Sequence, residues 1–124
     1  GKRILIVDDN KMNLEIVKLM LKKTNAEFIE ATNGLEAVEA YIDSEENSLD
    51  IILMDISMPI MNGYEAAKSI RSSTRTDNNI PIIAMTANAF EEDRQLALAA
   101  GMNEHITKPL DISKLLSTLS EILK

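Results

Sequence analysis

The chain has 124 residues, which fits one domain, and carries 20 acidic against 13 basic side chains for a formal net charge of −7. Such a domain buries roughly two thirds of its unfolded surface, so it needs no disulfide or structural metal to fold. The acidic balance argues against a nucleic-acid backbone as partner. Two Tyr, two Phe and no Trp give no base-stacking platform, and the absence of cysteine excludes thiol catalysis.

The first run, RILIVD (3–8), is apolar and β-branched and predicts a strand. Residues 10–23 have helical spacing, with Met12, Ile16, Leu19 and Met20 on a wide apolar face, Leu14, Val17 and Leu21 beside them, and Lys22 and Lys23 in the last turn. EFIEA (27–31) alternates enough to be an edge strand, and residues 33–45 predict a helix opened by Asn33, with Glu36 at the capping-box position. DIILMD (50–55) is the third strand, followed by a helix over 62–72 with the same opening, Asn62 and Glu65. The polar stretch SSTRTDNN (72–79) reads as a mobile loop. IPIIAMT (80–86) is the fourth strand, and residues 88–100 predict a helix opened by Asn88 and Glu91 and closed by Gly101. EHIT (104–107) is a short fifth strand, and Asp111 caps a closing helix over 111–123. Strand and helix alternate five times with short connections, which predicts a parallel sheet covered on both faces.

Ligands of open parallel sheets bind outside the carboxyl ends of the strands. Strand one ends in Asp8 and Asp9, strand three in Asp55, strand four in Thr86, and strand five in Thr107 and Lys108 before Pro109. A lone Asp after a strand is usually a helix cap or a turn residue, and Asp9 or Asn10 suits the first helix in that role. Lys108 alone reads as a solvated lysine, and Asn13, on the apolar side of the first helix, reads as a core amide or as support for the site. The coincidence of acids, a hydroxyl and a lysine at one edge points further. Two carboxylates about 4 Å apart repel by roughly 4 kcal/mol at an effective dielectric near 20, so three of them call for a cation. Lys108 offers one positive charge. Oxygen ligands with few fixed contacts suit Mg²⁺, and a carboxylate, a hydroxyl, an ammonium and Mg²⁺ together resemble a phosphoryl-transfer site.

ILIVDDN, LDIILMDISMPIMNGYEA, IPIIAMTA and AAGMNEHITKPL, in this order and covering nearly the whole chain, resemble the receiver domain of two-component response regulators. The wording DDNKMN and MDISMPIMNG is most similar to receivers attached to hybrid sensor histidine kinases. The resemblance implies a flavodoxin-like, three-layer fold with five strands in the order 2-1-3-4-5 and residues 1–124 as one receiver domain. It implies Asp55 as phosphoacceptor, supplied by a histidine kinase or a histidine-phosphotransfer domain. Asp9 would ligate Mg²⁺ directly, Asp8 through water, and Asp55 and the Ser57 carbonyl would complete the ligands. Lys108 would contact the phosphoryl oxygens, Thr86 would turn to hydrogen-bond them, and Lys108–Pro109 would be a cis peptide.

The family's switch residue is usually Tyr or Phe; here it is His105, read either as a switch or as a rim residue. The positions of Ser57 and Asn88 tune phosphoryl lifetime in the family. Phosphorylation would change the surface of the fourth helix, fifth strand and fifth helix, where a downstream protein or domain would read it. Two rivals stand beside this reading. One is a phosphorylation-independent interaction module, though such pseudo-receivers typically lose an acid or the lysine, and this chain keeps Asp8, Asp9, Asp55, Thr86 and Lys108. The other is an enzyme acting on an external phosphate ester, for which the sequence shows no lid, GxGxxG or P-loop pattern. No apolar run approaches the ~20 residues of a membrane span and no signal peptide opens the chain, so the expected location is cytoplasmic, tethered to a membrane only through a larger kinase. A chain beginning at Gly1 is expected to be either a stand-alone regulator or a piece of something longer.

Overall fold

The computed structural model describes residues 2–87 and 90–123. Its strands are β1 (Arg3–Val7), β2 (Glu27–Ala31), β3 (Ile51–Asp55), β4 (Ile82–Thr86) and β5 (Glu104–Thr107). Between and after them lie α1 (Lys11–Met20), α2 (Gly34–Asp43), α3 (Gly63–Arg71), α4 (Glu91–Ala99) and α5 (Ile112–Ile122). All strand pairs are parallel, in the order β2-β1-β3-β4-β5. β3 and β4 are buried along their whole length, while β2 at the edge keeps Glu27 and Glu30 exposed.

Side chains alternate across the sheet, so each strand feeds two cores. Leu5, Val7, Ile52, Met54, Ile82 and Ala84 pack with Ala37 and Tyr41 of α2, Ala66, Ala67 and Ile70 of α3, and Ala97 of α4. Ile4, Ile6, Ile51, Leu53, Ile83 and Met85 pack with Leu14 and Val17 of α1 and Leu115 and Leu119 of α5.

The helix starts follow their caps. Asn62 and Glu65 close a full capping box on α3, and Asp111 accepts from the Lys114 N–H at the start of α5. At α2, Asn33 accepts from the Glu36 N–H, but the Glu36 carboxylate reaches one residue further back, to the N–H and hydroxyl of Thr32. α4 begins at Glu91 with Phe90 as its cap residue, and the expected opening by Asn88 lies outside the described residues. Gly101, at φ +97°, closes α4 as expected; its N–H and that of Met102 donate back to Leu98 and Ala97.

Two expectations are corrected. The buried face of α1 is Leu14 and Val17, continued by Leu21, whereas Met12 is 71% and Leu19 69% exposed, and Ile16 is also exposed. Lys22 and Lys23 sit in a separate 3₁₀ turn after α1. Residues 72–79 are not a loose loop. Arg75 stacks on the Tyr41 ring at 4.4 Å and donates to the carbonyls of Tyr41, Ile42 and Ser44 at the end of α2. Asp77, buried, accepts from Arg75, from the Tyr41 hydroxyl and from the Asn47 N–H. The composition is polar because the residues tie α2 to the α3–β4 connection at the amino edge of the sheet. Among the described residues no helix is long and apolar enough to cross a membrane.

Candidate functional site

The register sets Val7 beside Met54 and Asp55 beside Met85, so the chain leaves the sheet at one level as Asp8, Asp55 and Thr86. Asp8, Asp9 and Asp55 each offer a carboxylate oxygen, all within 4.8 Å of one another. Asp8 and Asp55 are buried, at 1% and 5% exposure, and Asp9 is exposed. The sequence left open whether Asp9 or Asn10 caps α1. Asn10 does so, accepting from the Met12 N–H at 2.8 Å, which leaves the Asp9 carboxylate in the acidic cluster.

Lys108 reaches across the edge from the end of β5. Its Nζ lies 3.0 Å from Asp8 Oδ2 and 3.3 Å from Asp55 Oδ2. Its N–H donates to the Thr86 carbonyl at 2.6 Å, so the backbone that carries the ammonium is tied to the strand that carries the hydroxyl. Lys108–Pro109 is a cis peptide, as expected. Thr86 is buried. Ser57 is exposed, and its backbone amide favours the charged form of the Asp55 carboxyl.

The electrostatics are unbalanced. Burial raises the Asp55 carboxyl above its ordinary value; the Lys108 charge opposes this and the Asp8 charge adds to it. Burial alone would lower the Lys108 ammonium, but its bond to Asp8 and the charge of Asp55 outweigh that and hold it charged. The cluster therefore holds three carboxylates, and the Lys108 ammonium pairs with two of them, Asp8 and Asp55. All the donors are hard oxygens, which fits a divalent cation of the Mg²⁺ class and does not fit soft metals.

Asn13, read from sequence as a core amide or as support for the site, belongs to the site: its Nδ2 lies 3.4 Å from Asp8 Oδ1, which also accepts from the Asn10 N–H at 2.9 Å. His105 is half-buried on β5. Its Nδ1 has no hydrogen-bond partner among the described residues and lies 3.9 Å from Glu104 Oε1. Sequence reasoning did not find the groove of about 470 Å³ that opens from Asp8 and Lys108 between Ile16 and Met20 of α1 and Leu110. Its one signal was the excess of apolar residues on α1, which one core face could not absorb.

Residues 4–120 match the response regulator receiver domain. The chain belongs to that family. It is 37% identical over 113 residues to hybrid signal transduction histidine kinase I of Dictyostelium discoideum, covering 89% of this chain and 6% of that protein. The chain spans between 3% and 16% of the curated relatives it is compared with. Among solved structures it is similar to the receiver domain of sensor histidine kinase PA1611 from Pseudomonas aeruginosa PAO1, described with a magnesium ion coordinated in the active site cleft. That similarity has a TM-score of 0.87 and 34% identity, over 99% of this chain and 98% of that one. It is also similar to the receiver domain of Ssk1 from Saccharomyces cerevisiae, solved with the histidine phosphotransfer protein Ypd1. Here the TM-score is 0.87 and the identity 31%, over 99% and 89% of the two chains. This receiver domain therefore shares the sheet order and the acidic carboxyl edge of a phosphorelay module.

Proposed function

We propose that this receiver domain takes a phosphoryl group from a phosphohistidine on a partner protein onto a carboxylate oxygen of Asp55. The observation that carries the reading is the cluster of three carboxylates, Asp8, Asp9 and Asp55, in which the Lys108 ammonium contacts Asp8 and Asp55. That charge excess would be idle in a purely structural cluster. An Asp55 oxygen attacks phosphorus in line; the new O–P bond forms as the P–N bond breaks, and the electron pair leaves on the imidazole nitrogen. Lys108 holds the phosphoryl oxygens, and the Thr86 hydroxyl turns to donate to them. Asp9, Asp55 and the Ser57 carbonyl would hold Mg²⁺ directly and Asp8 through water. When bound, the ion supplies charge neutralisation and a template for the transferred group. Water later attacks phosphorus and releases phosphate, with the side chains of Ser57 and Asn88 setting how fast.

The phosphoryl group biases an existing equilibrium in which Thr86, His105 and the α4–β5–α5 surface take a second arrangement for a downstream protein or domain. The donor is a histidine kinase or histidine-phosphotransfer domain; support comes from the neighbour solved with Ypd1 and from the exposed Met12, Ile16 and Leu19 of α1, of which Ile16 lines the groove. The parent protein is a hybrid histidine kinase acting from the cytoplasm, tethered where the kinase is, a reading supported by the relatives. Beyond its own phosphoryl transfer and self-dephosphorylation the domain catalyses nothing.

Incubation with phosphoramidate, with Mg²⁺ or with excess chelator, tests this by intact mass. The expected result is one added phosphoryl group with Mg²⁺ and none with chelator. Equal labelling in both, or none in either, would contradict it.

A further inference from the structure

The loop that carries Ser57, residues 56–62, is fixed by groups outside it. At its near end the Ile56 N–H donates to the Met85 carbonyl at 3.2 Å, and the Gly63 N–H donates to the Ile56 carbonyl at 3.0 Å. In its second half Ile60 sits at φ +70°, a left-handed conformation that costs free energy for a β-branched residue. The Met61 N–H donates to the Pro59 carbonyl at 2.7 Å across that residue, closing a γ-turn. At the far end the Gly34 N–H donates to the Met61 carbonyl at 2.9 Å. This last donor belongs neither to the loop nor to a strand of the site. It is the first residue of α2.

Gly34 acts in two ways. Its N–H holds the loop, and its missing side chain lets two backbones meet. A Cβ on Gly34 would lie 2.3 Å from the Met61 carbonyl oxygen and 2.9 Å from its carbonyl carbon. These are backbone atoms, so they do not swing aside as the tip of a side chain does. Gly34 is buried, and the turn before it is closed. Asn33 accepts from the Glu36 N–H at 2.8 Å, and the Glu36 carboxylate accepts from the N–H and hydroxyl of Thr32 at 2.9 and 2.8 Å. Met58 and Met61 pack on the core. A left-handed residue in such a loop persists because its surroundings hold it, and Gly34 is one of the holds.

We infer that Gly34 is a positioning residue for the cation site: by clamping Met61 it sets where the 56–62 loop presents the Ser57 carbonyl. This role rests on the reading of that carbonyl as a Mg²⁺ ligand, and it adds a residue from the β2–α2 turn, which supplies none of the ligands. Asp55 ends β3, Asp9 follows β1 and Lys108 follows β5, so all three stand outside the loop. A slackened loop therefore changes one ligand and leaves the attacking carboxylate and the ammonium in place. Mg²⁺ then binds more weakly, while transfer at saturating Mg²⁺ runs near its normal rate.

The test measures Mg²⁺ binding by isothermal titration, the unfolding midpoint, and phosphoramidate labelling across Mg²⁺ concentration. Wild type is compared with Gly34→Ala, Asn33→Ala and Asp77→Ala. Asn33→Ala removes the cap of the same turn without a clash and carries the test should Gly34→Ala not fold. Asp77→Ala destabilises the fold from the amino edge, away from the loop. The expected result is Mg²⁺ affinity weakened about tenfold by Gly34→Ala, about threefold by Asn33→Ala, and less than about twofold by Asp77→Ala. Labelling at saturating Mg²⁺ should stay within about threefold of wild type in every folded variant. Unchanged affinity in the folded turn variants would overturn the assignment. So would an equal loss in Asp77→Ala, since any fall in stability would then suffice, or labelling in the turn variants that stays slow at saturating Mg²⁺, since the acceptor itself would then be displaced. No Mg²⁺ binding by wild type would overturn the metal reading first and this role with it.

Discussion

The two edges of the sheet carry comparable polar clusters that do opposite things. At the amino edge the buried Asp77 accepts from Arg75, Tyr41 and Asn47, while Arg75 also serves the last carbonyls of α2. Arg71 extends the lattice to the carbonyls of Gly101 and Asn78 and to the Asn103 side chain, which also accepts from the Ile82 N–H. Burial opposes the Asp77 charge, but these donors outweigh it and hold the carboxyl below its ordinary value. At the carboxyl edge Asp55 is held above its ordinary value despite Lys108. A charge cluster balanced by its own residues holds a fold together; one left in excess is poised for something from outside.

Breaking the balanced edge has the largest expected effect. Asp77→Ala removes the acceptor of a buried pair, and urea unfolding is expected to show a loss of about 3 kcal/mol. Phosphoramidate labelling of the folded fraction should stay at the wild-type rate; a parallel fall would mean that the two edges are coupled. Next in size is Lys108→Ala. Removing a donor to the transferred group is expected to slow labelling by roughly a hundredfold, about 2.7 kcal/mol, in a single-turnover assay.

The smallest effect sharpens the contrast most. Asp55→Asn removes a like charge and should raise stability by about 1 kcal/mol at pH 7 without Mg²⁺. The sign follows from the raised carboxyl. The folded state keeps this proton to higher pH than the unfolded state, so wild type loses stability as pH rises through the folded value. The advantage of the Asn variant is therefore full above that value and fades as pH falls toward the ordinary carboxyl value of 3.8. Urea midpoints of both proteins across this range check it, and an advantage that grows in acid would contradict it.

The carboxyl edge was legible because a strand must end where its apolar run ends, and β1, β3, β4 and β5 deliver their polar residues to one place. The strand order came from the family resemblance, not from periodicity. The buried face of α1 was misread because apolar residues from Met12 to Leu21 lie nearly all round the helix, so spacing could not choose Leu14 and Val17 over Met12 and Leu19. The amino-edge lattice was hidden for a different reason. Arg75 and Asp77 look like loop residues until their partners, 30 to 36 positions away in Tyr41 and Asn47, are brought beside them. Ile60 gave no sequence signal at all, since its oddity is a dihedral angle.

The most direct test of the acceptor assignment is to locate the covalent bond. After labelling with phosphoramidate and Mg²⁺, borohydride reduction converts an aspartyl phosphate to homoserine, and peptide mass spectrometry reads its position. The account predicts homoserine at position 55 alone, and none in Asp55→Asn. Homoserine at position 8 or 9 in wild type, or a stable label at a hydroxyl side chain, would contradict it.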